Sequence, residues 1–214
     1  MLRFPVPGLA LFSLLTLAAS GADWSQWRGP TRDGRVEGPA WPATLSGDAL
    51  TPVWRVKLGP GYSGPIVSAD AVFVTETQDK SNEVVRALDR RTGRELWSHA
   101  WPGSLSVPFF AKSRGDWIRA TPAYDGQRLY VAGMRDVLVA LDARTGQEVW
   151  RVDFVQRFKT GVPDFGLVCS PLPDGDFLYL QAANSVVKLR KDTGETVWRG
   201  FQGGKGMEIG RAHV

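Results

Sequence analysis

The sequence predicts an all-β protein, a partial β-propeller of about three to four four-stranded antiparallel blades. Three observations predict it. A strand–turn–strand signature ending in Trp occurs three times in 214 residues. Trp54, Trp97, Trp150 and Trp198 follow one another 43, 53 and 48 residues apart, the length of one four-stranded blade, roughly 40 to 50 residues. Between short apolar runs lie 24 Gly and 14 Pro, the punctuation of a protein made of strands and turns.

The repeat is clearest at its end. Ala87-Leu88-Asp89-Arg90-Arg91-Thr92-Gly93-Arg94-Glu95-Leu96-Trp97 aligns without gaps on Ala140-Leu141-Asp142-Ala143-Arg144-Thr145-Gly146-Gln147-Glu148-Val149-Trp150. Lys188-Leu189-Arg190-Lys191-Asp192-Thr193-Gly194-Glu195-Thr196-Val197-Trp198 is the third copy, with Lys188 and Arg190 in place of Ala and Asp. The Gly residues Gly93, Gly146 and Gly194 suit a hairpin turn that needs one positive φ. Asp89 and Asp142 are placed to accept backbone N–H groups within the turn, and Thr92, Thr145 and Thr193 complete it. Trp97, Trp150 and Trp198 offer large rings to pack on a neighbouring blade and an N–H that needs an acceptor.

The upstream halves supply the other strands. Ile66-Val67, Thr121 to Tyr124 and Ser170-Pro171-Leu172 read as first strands. Ala71 to Val74, Leu129 to Val131 and Phe177 to Leu180 read as second strands, entered through turns that include Asp125-Gly126 and Asp174-Gly175. Val84-Val85, Val137 to Val139 and Val186-Val187 read as third strands. β-Branched and aromatic residues fill these runs, as a pleated, half-buried surface prefers.

Composition sets the class. The chain is 43% hydrophobic and 22% charged, which argues for a folded protein and against disorder. The net charge of +4 is scattered, with Arg90-Arg91 and Arg190-Lys191 the only adjacent basic pairs. A nucleic-acid binder is expected to gather its cations into a stripe or patch, so no nucleic-acid partner is expected. Arg3, the apolar run Leu9 to Ala19 and the small residues Ser20-Gly21-Ala22 read as a signal peptide over 1–22. The run is too short to span a bilayer comfortably, and no second one follows. A secreted or periplasmic location is expected, with no transmembrane segment after signal removal. Cys169, the only cysteine, sits in an apolar run and reads as a small buried residue.

The Ala-Leu-Asp-x-x-Thr-Gly-x-x-x-Trp unit resembles the repeat of the PQQ-like (quinoprotein dehydrogenase-like) β-propeller family. The opening Trp24-Ser25-Gln26-Trp27-Arg28-Gly29-Pro30-Thr31-Arg32-Asp33-Gly34 is similar to the start of many secreted bacterial members. The resemblance covers residues 23–207 and implies a ring of about eight blades, of which this chain carries the first three or so. It implies the following organisation: a signal peptide (1–22), an N-terminal segment (23–52) that belongs against a further blade, and propeller repeats (53–207). Residues 208–214 lack strand patterning and back-translate into a string like a sequencing-adapter read, so they are expected to be a non-native tail. The resemblance allows two functions: a non-catalytic, BamB-like scaffold for a protein or glycan partner, or a PQQ-dependent alcohol or sugar dehydrogenase. No cofactor is expected under the first; PQQ and Ca2+ belong to the second.

The residues supply little catalytic material. Gly59-Pro60-Gly61-Tyr62-Ser63-Gly64 matches G-x-G-x-x-G, but Pro60 and Pro65 oppose the helix that a dinucleotide site requires, so a loop is expected. Asp174-Gly175-Asp176 lacks the twelve-residue calcium loop and reads as a turn. No catalytic, cofactor-binding or metal-binding residue can be assigned, and no adjacent Cys pair is present. The long connections from Trp97 to Pro122 and from Trp150 to Pro171 are the places to look for binding, because long loops on one propeller face more often carry it. They hold Arg114, Asp116, Trp117 and Arg119, then Arg157, Lys159 and Asp164.

Overall fold

The computed structural model describes residues 23–36, 38, 43–47 and 51–201. The expected signal peptide and the tail at 208–214 lie outside the described residues, as do 202–207 of the expected repeat region. Among the described residues, twelve strands form three four-stranded antiparallel sheets. The first blade comprises β1 (Ile66–Val67), β2 (Ala71–Gln78), β3 (Asn82–Asp89) and β4 (Glu95–Pro102). The second comprises β5 (Ala123–Tyr124), β6 (Arg128–Gly133), β7 (Val137–Asp142) and β8 (Glu148–Asp153). The third comprises β9 (Leu172–Asp174), β10 (Phe177–Ala182), β11 (Ser185–Arg190) and β12 (Thr196–Gly200). Within each sheet the strands pair in chain order, which short hairpin turns allow.

Strand alternation divides the core between two interfaces. Leu129 and Val131 of β6, with Val137, Val139 and Leu141 of β7, pack with Phe73 and Val85 of the first blade. The intervening Tyr130, Ala132, Leu138 and Ala140 pack with Leu178, Leu180 and Val187 of the third. Successive side chains leave opposite faces of a strand, so the middle blade must be apolar on both.

The recurrent Trp fastens these interfaces. Trp97 donates its Nε1–H to the Ala143 carbonyl at 3.0 Å, and Trp150 donates to Lys191 at 2.9 Å. Each acceptor lies in the next blade's Thr-Gly turn. Trp54 makes the same bond to Arg90 at 2.9 Å, so residues ahead of β1 take the place of a preceding blade's outer strand. Gly93, Gly146 and Gly194 have φ of 72°, 73° and 70°. A Cβ on them would lie 2.8, 2.5 and 2.7 Å from the rings of Trp54, Trp97 and Trp150. Positive φ therefore states only half of the requirement, because the ring leaves no room for a side chain. Asp89 accepts from the backbone N–H groups of Arg91 and Thr92 and from the Thr92 hydroxyl, and Asp142 repeats the set. In the third turn Arg190 pairs with Asp192 instead.

A β-bulge recurs beside each Trp. Ala87 faces Trp97 while Leu88 faces Glu95, leaving Leu96 as the extra residue. The same slip leaves Val149 and Val197 over. All three extra residues are exposed, as the outward kink of a bulge dictates.

The N-terminal segment is held by the described blades. Residues 24–32 cross the leading ends of the three blades. Trp24 forms an antiparallel bridge with Val67, Tyr124 N–H donates to Ser25 at 2.7 Å, and Arg32 reaches the Ser170 and Pro171 carbonyls. The short first strands leave unpaired edge groups, and this segment satisfies several of them.

Candidate functional site

The two long connections fold into loops with short helices: a 3-10 turn over Phe109–Arg114 and α1 (Phe154–Phe158). Asp116 accepts from Val107 N–H at 3.0 Å, closing the first loop on itself. Trp117 covers Gly115, where a Cβ would meet its ring at 2.5 Å, and its ring lies 5.3 Å from that of Tyr62. Asp116 and Trp117 line a pocket of about 470 Å³ with Thr77, Lys80 and Lys112. Arg114 ends the 3-10 turn. Arg119 turns away into a second cavity. Arg157 donates to the Gly194 carbonyl at 2.6 Å and to Thr196, so it braces the third blade. Lys159 caps α1 in a left-handed conformation, and both it and Asp164 face solvent. The structure thus brings Asp116 and Trp117 together in one pocket, places Arg119 in the adjoining cavity while bonded to the Gly115 carbonyl, and ties Arg157 to the third blade instead.

An aromatic patch escaped the sequence reading. Phe109 and Phe110 are 87% and 68% exposed, with their rings edge to face at 5.7 Å. Phe110 also meets Phe165 from the second loop at 6.2 Å. The adjacent pair Phe109-Phe110 after Pro108, inside a polar loop, was the available signal.

The second cavity, about 130 Å³, lies where the three segments leading into the blades converge. Tyr62 precedes β1, Arg119 and Thr121 precede β5, and Val168, Cys169 and Ser170 precede β9; Trp27 and Arg32 of the N-terminal segment close it. The segments are laced together: Gly64 N–H donates to Thr121 Oγ1 at 3.1 Å, and Thr121 N–H donates to Ser170 Oγ at 3.1 Å. The Arg119 guanidinium stands over the Tyr62 ring at 5.0 Å and donates to the Gly115 carbonyl at 2.9 Å. Its Nε is buried without a hydrogen-bond partner. Cys169 is buried, as its apolar context predicts.

Two carboxylates are fully buried between blades. Glu83 accepts from Met134 N–H at 2.7 Å and from Trp101 Nε1–H at 2.8 Å. Asp136, at the equivalent place one blade on, accepts from Ala183 N–H at 2.9 Å. Desolvation raises Glu83 from 4.5 to about 7 and Asp136 from 3.8 to about 6, against the lowering effect of these N–H donors. The bonds from Met134 to Glu83 and from Ala183 to Asp136 each cross from one blade to the next, which assigns both carboxyls to blade docking.

The expected loop at Gly59–Gly64 is a loop followed by β1. Asp125 accepts from Gln127 and Arg128 N–H groups, as turn chemistry requires. Among the described residues, no three His, Cys, Asp or Glu side chains converge on a metal position. The two-arginine cavity is smaller than the ~300–1,000 Å³ that encloses a drug-sized ligand.

A family model described as outer membrane protein assembly factor BamB matches residues 80–212. The 1-butanol dehydrogenase (quinone) of Thauera butanivorans is 25% identical over 165 residues, 70% of this chain and 25% of that protein. The serine/threonine-protein kinase AfsK of Streptomyces griseus is 29% identical over 172 residues, 79% of this chain and 19% of the kinase. Among solved structures, quinohemoprotein alcohol dehydrogenase from Comamonas testosteroni superposes with a TM-score of 0.50 at 24% identity, over 67% of this chain and 21% of that one. The last likeness concerns the fold alone. The chain spans a third or less of the length of these curated relatives.

Proposed function

Because the chain belongs to the PQQ-like β-propeller repeat family of the outer membrane assembly factor BamB, we propose that it is a non-catalytic scaffold of the bacterial envelope. It binds a protein partner through the loops between its blades. The aromatic patch carries this reading. Phe109, Phe110 and Phe165 come from two different loops, and two of them expose most of their surface. Solvent-facing apolar groups clustered in this way mark interaction surfaces, and aromatic side chains dominate the energy of such contacts. The signal peptide read at 1–22 supports the envelope location, and no helix among the described residues is long and apolar enough to cross a membrane.

The test is site-specific photo-crosslinking in the native envelope, with the reactive side chain at position 110 and a control at Thr193 in the third turn. A discrete adduct at 110, absent at 193 and lost on Phe109→Ser, is the expected result. Equal labelling at both positions, or an adduct indifferent to Phe109→Ser, would remove the patch from the binding surface.

The similarity to 1-butanol dehydrogenase (quinone) favours a second reading, a quinone-dependent alcohol dehydrogenase. Titration of the protein with PQQ and Ca2+ in a dye-reduction assay decides it. Saturable, alcohol-dependent reduction would replace the scaffold reading.

A further inference from the structure

We propose that Arg32 and Arg119 form a receptor for a small free oxyanion, of phosphate or carboxylate type, in the cavity where the three blade-leading segments converge. This site is separate from the aromatic patch and does not depend on it.

The charges are the first argument. Two guanidinium groups line the cavity, while none of its other lining residues carries a carboxylate. Neither arginine forms an ion pair among the described residues. Arg32 meets only neutral acceptors, at 3.3 Å from Gln26 Oε1 and 3.5 and 3.4 Å from the Pro171 and Ser170 carbonyls. Those distances exceed the ordinary N–H···O range of about 2.7–3.2 Å. Burial holds its guanidinium below the usual pKa, and the neighbouring Cys169 opposes this only in part.

Donor count is the second. The buried Arg119 Nε–H has no acceptor, although buried N–H groups are ordinarily paired. Thr121 Oγ1 and Ser170 Oγ each accept a backbone N–H. Each hydroxyl keeps its own hydrogen to donate. Two cations and two hydroxyl donors therefore surround one space. Oxyanions are the acceptors that match such a set, and the planar guanidinium fork suits them better than an ammonium does.

Size is the third. A volume of about 130 Å³ is several times the ~10–15 Å³ that one water needs. It suits an anion of four or five heavy atoms with a few waters.

The experiment is a titration of the full chain, labelled with 15N-arginine and followed at the Arg119 Nε–H resonance. Sodium phosphate and sodium acetate are added separately, against sodium chloride at equal ionic strength. A saturable shift with phosphate alone assigns an inorganic oxyanion; a saturable shift with acetate assigns a carboxylate. If neither differs from chloride, the proposal fails. Arg32→Gln and Arg119→Gln should each weaken binding by about tenfold or more, as loss of a charge-assisted hydrogen bond predicts. Thr145→Ala, in a distant turn, should leave it unchanged. Affinity retained in both arginine variants would also overturn the proposal, and the wild-type titration stands even if a variant misfolds.

Discussion

At the scale of single residues, Glu83 shows how burial sets chemistry. Its carboxyl is raised from 4.5 to about 7 in the folded chain. A raised carboxyl pKa means that folding favours the neutral acid. Its contribution to stability is therefore fully present below about pH 4.5 and is lost as the pH rises through about 7. The difference is at most about 3 kcal/mol by the conversion of pKa into free energy. Urea unfolding from pH 5 to 8 should show wild type losing stability relative to Glu83→Gln across that window. A parallel pair of curves would contradict the assignment. The sequence showed Glu83 only as one acid in a strand. Its environment is made by Met134 and Trp101, which are 51 and 18 residues away along the chain.

At the scale of elements, the Thr-Gly turn is a receptor for the preceding blade as well as a hairpin. Gly146→Ala has to place a Cβ at positive φ and push Trp97 aside. Gly126→Ala meets the first difficulty alone, because nothing lies within 4 Å of its Cβ position. Denaturant unfolding should find a loss of about 1–2 kcal/mol at Gly126 from the backbone alone. At Gly146 the loss should be larger by about 1–3 kcal/mol, the usual cost of overpacking. Equal losses would mean that the ring moves freely. All twelve strands were legible, because alternation and turn residues act over a few neighbours. The helix α1 was not, since five residues are too few to show helical periodicity. Its cap, Asp153 accepting from Gln156 N–H at 2.8 Å, was visible only once the loop had folded.

At the scale of the molecule, each blade depends on the next. Trp150 is held by the third blade's turn. Trp198 occupies the same repeat position but is 40% exposed and meets no such turn among the described residues. Trp150→Phe should therefore cost about 2 kcal/mol, a hydrogen bond plus lost packing. Trp198→Phe should stay within about 0.5 kcal/mol, like other surface changes. Chemical unfolding of both variants of this chain checks the contrast, and a comparable cost at Trp198 would refute it. The two-arginine cavity belongs to this scale as well, since the N-terminal segment and all three blades contribute to it.

The sequence by itself determined the repeat, the strands, the turns and the pairing of blades through Trp. These depend on local alternation, on Gly at positive φ and on a motif that is copied in each unit. Tertiary structure alone decided which side chains from different units share a space. It placed the N-terminal segment across three blades, set Arg32 and Arg119 around one cavity, joined Phe165 to Phe110 and tied Arg157 to the third blade. Such meetings depend on how blades stack and loops close, and spacing along one chain carries no record of that.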